Sequence, residues 1–265
     1  MISRPLLSMS SWVTKYFEDV LRFAQVLNFP AVEIDCDEKP IPATKASRSK
    51  LKETFNTYGL KIFYHSPFWD QAIGSTKEAI RRNTFNTLEM YLDFLEDLDG
   101  SYLVIHAGVS DTECPEENIV EDLQRLVDIA ESKHITLCVE NLRFGLSSDP
   151  HRLRQLAEES GSRIVFDLGH ANSCSWIEDE KRSSKDFLRI IENKVVGAHV
   201  YLKEEGGRHH PFREIDEVKE TLDELINIVG VVWWTIELPS IEDVIMQKLI
   251  LDSYFKSNIS VRPIQ

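Results

Sequence analysis

No run of about 20 consecutive apolar residues occurs in the 265-residue chain, so no membrane-spanning helix is expected. The N-terminal stretch also lacks a long apolar run and carries Glu18 and Asp19 early, which argues against a secretory leader. Basic residues are the scarcer charge: 30 Lys and Arg stand against 44 Asp and Glu, a net charge of −14. Proteins that grip a phosphate backbone cluster Lys and Arg, so this balance disfavours a nucleic-acid partner, although a local basic groove stays open. Cysteine is sparse. Cys36, Cys114, Cys138 and Cys174 include no C-x-x-C pair, which gives no sign of a zinc ribbon or a thioredoxin-like motif. Four cysteines in so long a chain make no disulfide framework, and a reducing, cytoplasmic location is the expectation. A Gly-rich turn after the first strand is missing as well. Ser11-Trp12-Val13 stands there, which counts against a doubly wound dinucleotide fold.

What is present is an alternation of short β-rich runs with longer amphipathic ones. Strands are expected at Leu6 to Ser10, Ala31 to Asp35, Lys61 to His65, Tyr102 to His106, Ile135 to Glu140, Arg163 to Asp167, Val195 to Tyr201 and Val231 to Glu237. Several are continuous Val/Ile-rich runs, as strands covered on both faces read. Helical spacing of apolar residues marks Tyr16 to Leu27 and Asn83 to Leu98. Ser75 with Glu78 resembles a capping box, Asp149 before Pro150 an N-cap, and Ser240 with Asp243 the start of a final helix. Eight strand–helix pairs in about 250 residues predict an α/β fold, a (β/α)8 TIM barrel, as a single domain over residues 1–265. Cys138 and the Trp233-Trp234 pair are assigned to packing, one indole facing into the barrel and the other the helices.

Titratable residues recur at the strand ends. They are His65, His106, Glu140, Asp167 with His170, His199 and Glu237, on six of the eight strands. Parallel barrel strands deliver their C-terminal ends to one mouth, so these residues should converge. One histidine at a strand end is usually a hydrogen-bonded packing residue; six such ends are harder to explain that way, since each group would be costly to bury unpaired. A thiolate-free set of His and carboxylates suits a divalent ion, with Zn²⁺ or Mn²⁺ expected first and Co²⁺ or Mg²⁺ as alternatives.

The ordered motifs YHSP, IHAG, VEN, DLGH, AHVY and IEL resemble the xylose-isomerase-like TIM-barrel superfamily, over about Ala31 to Leu238. That superfamily joins sugar and sugar-phosphate isomerases and epimerases with endonuclease IV (AP endonuclease family 2). The resemblance implies a metal held by Glu140, Asp167, His199 and Glu237, with Glu140 and Glu237 as acid and base, and His170 touching substrate. It implies further ligands at His65 and His106 for a second ion, and at His170 and His209 for a third, giving one to three ions. Gly207 stands where endonuclease IV has an aspartate, with Glu204 or Glu205 as substitutes. Candidate substrate contacts are Trp69, Lys203 and Arg208, and Phe144, Trp176 and Tyr201 are candidates for an apolar pocket wall. Arg81-Arg82 reads as a helix-surface pair before a phosphate contact. The leading functional expectation is a metal-dependent isomerase or epimerase of a sugar, sugar phosphate or related polyol. The alternatives are a metal-dependent hydrolase, acting as a phosphodiesterase or on an amide or ester, and a non-catalytic barrel. A small carbohydrate is the expected partner, with homo-oligomerisation left open.

Overall fold

The computed structural model describes residues 4–67, 72–107, 113–180 and 182–258. Its strands are β1 (Leu6–Ser10), β2 (Ala31–Asp35), β3 (Lys61–His65), β4 (Tyr102–Ile105), β5 (Thr136–Glu140), β6 (Arg163–Asp167), β7 (Val195–His199), β8 (Lys203–Glu205), β9 (Arg208–His210) and β10 (Trp233–Ile236). Eight of them close a parallel barrel in the order β1-β10-β7-β6-β5-β4-β3-β2, and β8 and β9 form a separate antiparallel hairpin. The helices are α1 (Phe17–Val26), α2 (Lys45–Tyr58), α3 (Glu78–Asp97), α4 (Glu116–Ser132), α5 (Pro150–Ser160), α6 (Leu168–Asn172), α7 (Ser175–Glu180), α8 (Ser184–Ile191), α9 (Lys219–Leu225) and α10 (Ile241–Asn258). The (β/α)8 barrel read from the sequence is therefore the fold. Among the described residues, no helix is long and apolar enough to cross a membrane.

Local chemistry sets the element ends. Asp149 caps α5 by accepting from the His151 and Arg152 amides, with Pro150 in the first turn, as expected. The capping box expected of Ser75 and Glu78 is corrected: Glu78 is the first residue of α3, and Ser75 Oγ accepts the Lys77 amide at 3.2 Å. Ser75 closes its own turn one residue too early to reach the helix. The expected strand at Val195 to Tyr201 ends at His199, and that at Val231 to Glu237 is confined to Trp233–Ile236.

Side chains alternate along each strand, so every second residue enters the barrel. Ala31, Phe63, Val104, Cys138, Val165, Val196 and Trp233 form an apolar floor. Phe63 and Trp233 stack at 4.4 Å between ring centroids, and Tyr102 packs against both. A Cβ on Gly197 would lie 2.5 Å from the Trp233 ring, so the missing side chain makes room for this indole. Trp234 points the other way, onto Tyr254 and Phe255 of α10. Two residues beyond the floor, on the same strands, stand Glu33, His65, His106, Glu140, Asp167 and Thr235, all buried. One step of the pleat thus changes the barrel interior from hydrocarbon to charge.

Candidate metal centre

The strand-end residues meet at the C-terminal mouth in three adjoining groups. His65, His106 and Glu140 form one; Glu140, Asp167, His199 and Glu237 the second; His170, Glu204 and His209 the third. Glu140 is common to the first two. Its Oε2 lies 2.9 Å from His65 Nε2 and 3.1 Å from His106 Nε2. Its Oε1 lies 3.3 Å from His199 Nδ1 and 3.2 Å from His170 Nδ1. His199 Nδ1 is also 3.3 Å from Glu237 Oε2 and 3.6 Å from Asp167 Oδ2. In the third group His170 Nε2 is 3.1 Å from Glu204 Oε2.

The outward ring nitrogens are occupied. His65 Nδ1 donates to the Ser66 carbonyl (2.7 Å), His170 Nδ1 to that of Asn141 (2.9 Å) and His209 Nδ1 to that of Glu237 (2.8 Å). His199 Nε2 donates to Glu33 Oε1 at 2.8 Å. With the outer nitrogen donating, loss of the inner proton would leave a lone pair facing the cluster, the arrangement that metal-ligating histidines adopt. Asp167 supplies a further sign. Its Oδ1 caps α6 by accepting the His170 amide at 2.6 Å, whereas its Oδ2, fully buried, accepts no hydrogen bond. A buried carboxylate oxygen without a donor is costly, and a cation in the second group would satisfy it. The donor set of carboxylates and imidazoles fits a hard or borderline divalent ion.

Electrostatics agree. Burial alone would raise the Glu140 carboxyl, yet His199, His106 and His170 around it hold it well below the usual carboxylate range. Glu237 is likewise held near 2: burial opposes ionisation, and the His199 and His209 charges overcome it. Asp167 is raised, by burial first and by Glu140 and Glu237 next. His65 is pushed up to about 9, its hydrogen bond to Glu140 outweighing burial, and the carboxylates around His170 and His199 raise both well above the ordinary imidazole value. His106 is the exception, lowered because burial prevails.

Above the centre lies a cavity of about 540 Å³. It is lined by Trp12 and Asp35 on one side and by Arg143 and Phe144 on the other, with Glu204 and His209 between. The Trp12 indole N–H donates to Asp35, and its ring lies 4.8 Å from that of His209. Tyr201 stacks flat on His209 at 3.9 Å, and Trp176 packs away from the mouth on Phe187.

Of the residues expected to contact substrate, Trp69 lies outside the described residues. Lys203 and Arg208 sit exposed on the β8–β9 hairpin and are not among the lining residues; Lys203 pairs with Glu205 at 2.9 Å. Their side of the strand faces outward, while the next residues, Glu204 and His209, face in. Glu204 therefore stands where Gly207 offers no side chain. Arg81 is held on the barrel flank by Asp122 and Glu121, each at 2.8 Å. Sequence reasoning missed Glu33, Trp12, Asp35 and Arg143. For Glu33 the available signal was a carboxylate in the middle of the otherwise apolar AVEI run.

Comparison with known proteins places this geometry. A family model described as a xylose isomerase-like TIM barrel matches residues 21–247. An uncharacterised protein of Methanocaldococcus jannaschii is 32% identical over 197 residues, covering 74% of this chain and 80% of that one. The crystal structure of a D-tagatose 3-epimerase-like protein superposes with a TM-score of 0.73 at 23% identity, over 95% of this chain and 97% of that one. Endonuclease IV from Thermus thermophilus superposes with a TM-score of 0.69 at 16% identity, over 96% of this chain and all of that one. At such identities the two structural likenesses are likenesses of fold.

Proposed function

Because the chain belongs to the xylose isomerase-like TIM barrel family, we propose that it is a divalent-metal-dependent isomerase or epimerase of a small, unphosphorylated polyhydroxy carbonyl compound. The observation that carries this reading is the pair Glu140 and Glu237, two buried carboxylates converging on one His199 nitrogen at 3.3 Å each, beneath a cavity of small-molecule size. An ion held by Glu140, Asp167, His199 and Glu237 would polarise a substrate carbonyl and its neighbouring hydroxyl and acidify the C–H between them.

The protein's own groups then divide the proton transfer. Both carboxylates line the cavity, but both Glu140 oxygens face histidines, whereas Glu237 Oε1 enters none of those contacts. Glu237, ionised at neutral pH, is the base. Glu140, hydrogen-bonded to His65 Nε2 at 2.9 Å, is the side from which a proton returns. Trp12 and Phe144 offer apolar faces to the carbon skeleton, and Asp35, Asp37 and Glu38 at the rim accept from hydroxyls.

The same rim argues against a phosphate. Asp35, Asp37, Glu38 and Glu204 line the cavity, and its one Arg or Lys among the described residues, Arg143, is paired with Glu204 at 3.1 Å. Lys39 is buried and donates to the Ser11 carbonyl.

A second reading, a hydrolase, is favoured by one observation. Glu140 spans two ligand sets, and two ions sharing it would activate water. Incubation of metal-loaded protein with ketoses, ketose phosphates and abasic-site DNA in D₂O separates the readings. Solvent deuterium should enter an unphosphorylated ketose, and Glu237→Gln should slow this by about 10²–10⁴. Cleavage of the DNA or of an amide, with no deuterium entering any sugar, would establish the hydrolase.

A further inference from the structure

Glu33 is 3% exposed and sits just above the apolar floor, in a barrel that already buries Glu140, Asp167 and Glu237. Among the described residues, its hydrogen-bond and ion-pair partners include no Lys or Arg. Its Oε1 accepts His199 Nε2–H at 2.8 Å; its Oε2 accepts the Trp233 indole N–H at 2.9 Å and the Thr235 hydroxyl at 2.5 Å. As a fold element alone this carboxylate is costly, since even a paired buried charge is often no more stable than an apolar side chain of the same size. Three convergent donors nevertheless require an acceptor with no N–H of its own. A glutamine would turn an amide N–H₂ toward at least one of them.

We propose that Glu33 is a positioning residue for His199. It holds the imidazole with Nε2 protonated and Nδ1 directed between Glu140, Asp167 and Glu237. The inference rests on the reading that these four residues bind a divalent ion. The support behind Glu33 is rigid. Trp233 is clamped between the Phe63 ring and the bare backbone of Gly197, and Thr235 lies on the same strand, β10. A line of fixed contacts runs from the floor through Glu33 to the ligating nitrogen. The outer nitrogen of His65 meets the Ser66 backbone carbonyl, whereas that of His199 meets the Glu33 carboxylate. A carboxylate behind an imidazole makes it the better donor.

Zinc affinity, measured by competition with a chromophoric chelator, tests this on the wild type, Glu33→Gln, His199→Asn and the double variant, with circular dichroism as the check on folding. Glu33→Gln should weaken zinc about 10- to 100-fold and leave the spectrum unchanged. In the His199→Asn background the same change should cost nothing further, because the ring it orients is gone. Equal affinity of wild type and Glu33→Gln, or the same loss in both backgrounds, would overturn the positioning role and leave the metal reading intact. A wild type that binds no zinc would overturn both. Should Glu33→Gln fail to fold, long-range ¹H–¹⁵N spectra of the zinc-loaded wild type decide. His199 protonated at Nε2 supports the proposal, and His199 protonated at Nδ1 refutes it.

Discussion

The floor of the barrel and the tier above it are built from the same strands, two residues apart, yet they obey opposite rules. In the floor, Phe63, Val104, Cys138 and Trp233 are held by area and shape. In the upper tier, His65, His106, Glu140 and Asp167 are held by mutual charge, each shifting the protonation of the others. Stability and chemistry are thereby separated along the strand axis, and substitutions in the two tiers should fail differently.

The largest separation is expected at Phe63. Removing its ring takes away the stack on Trp233 and leaves a cavity, so Phe63→Ala should cost about 3–5 kcal/mol of unfolding free energy. Zinc bound per folded molecule should stay unchanged. Denaturant unfolding paired with metal analysis reads both, and loss of metal from the folded variant would show that the tiers are not independent.

A smaller effect, of opposite origin, is expected from pH. A histidine whose pKa is raised on folding adds stability that is complete below its unfolded value of about 6.5. For His65 that stability is lost as pH rises toward about 9. The metal-free chain should therefore melt at falling temperature across this interval. Zinc affinity should climb over the same range, because ligation displaces those protons. Thermal melts across pH and calorimetry in two buffers of different ionisation enthalpy check the two halves. Zinc uptake without proton release at pH 7 would mean that the histidines are already neutral.

The smallest effect belongs to the outward face of the hairpin. Lys203 and Glu205 form an exposed, solvent-screened pair that contributes little. Lys203→Ala should leave substrate KM within about twofold by steady-state kinetics, whereas a large rise would place its ammonium over the cavity.

The barrel and its six strand-end motifs were legible because strand direction alone carries such residues to one rim. His65, Glu140 and Glu237 needed no knowledge of side-chain contacts. Glu33 was not legible in that way, since its importance comes from Trp233 and Thr235, about 200 residues downstream, converging on its oxygens. The hairpin was signalled more plainly than it was read. Gly206 and Gly207, both at positive φ (60° and 72°), make the two-residue turn that such a pair prefers. Reading that turn would have given the alternation that sends Glu204 and His209 inward and Lys203 and Arg208 out. The false cap at Ser75 shows the converse, a matching pattern whose hydroxyl is used by a nearer amide.

Asp167 closes α6 with one oxygen and offers the other to the mouth, and His170 follows it by three residues within that first turn. The spacing between the second and third ligand groups is therefore a property of the peptide backbone, one helical turn long, rather than of flexible side chains. Lengthening Asp167 by a methylene would keep its charge yet unfasten the turn, shifting two ligand groups at once. The barrel carries its own ruler for how far apart ions held by those groups would sit.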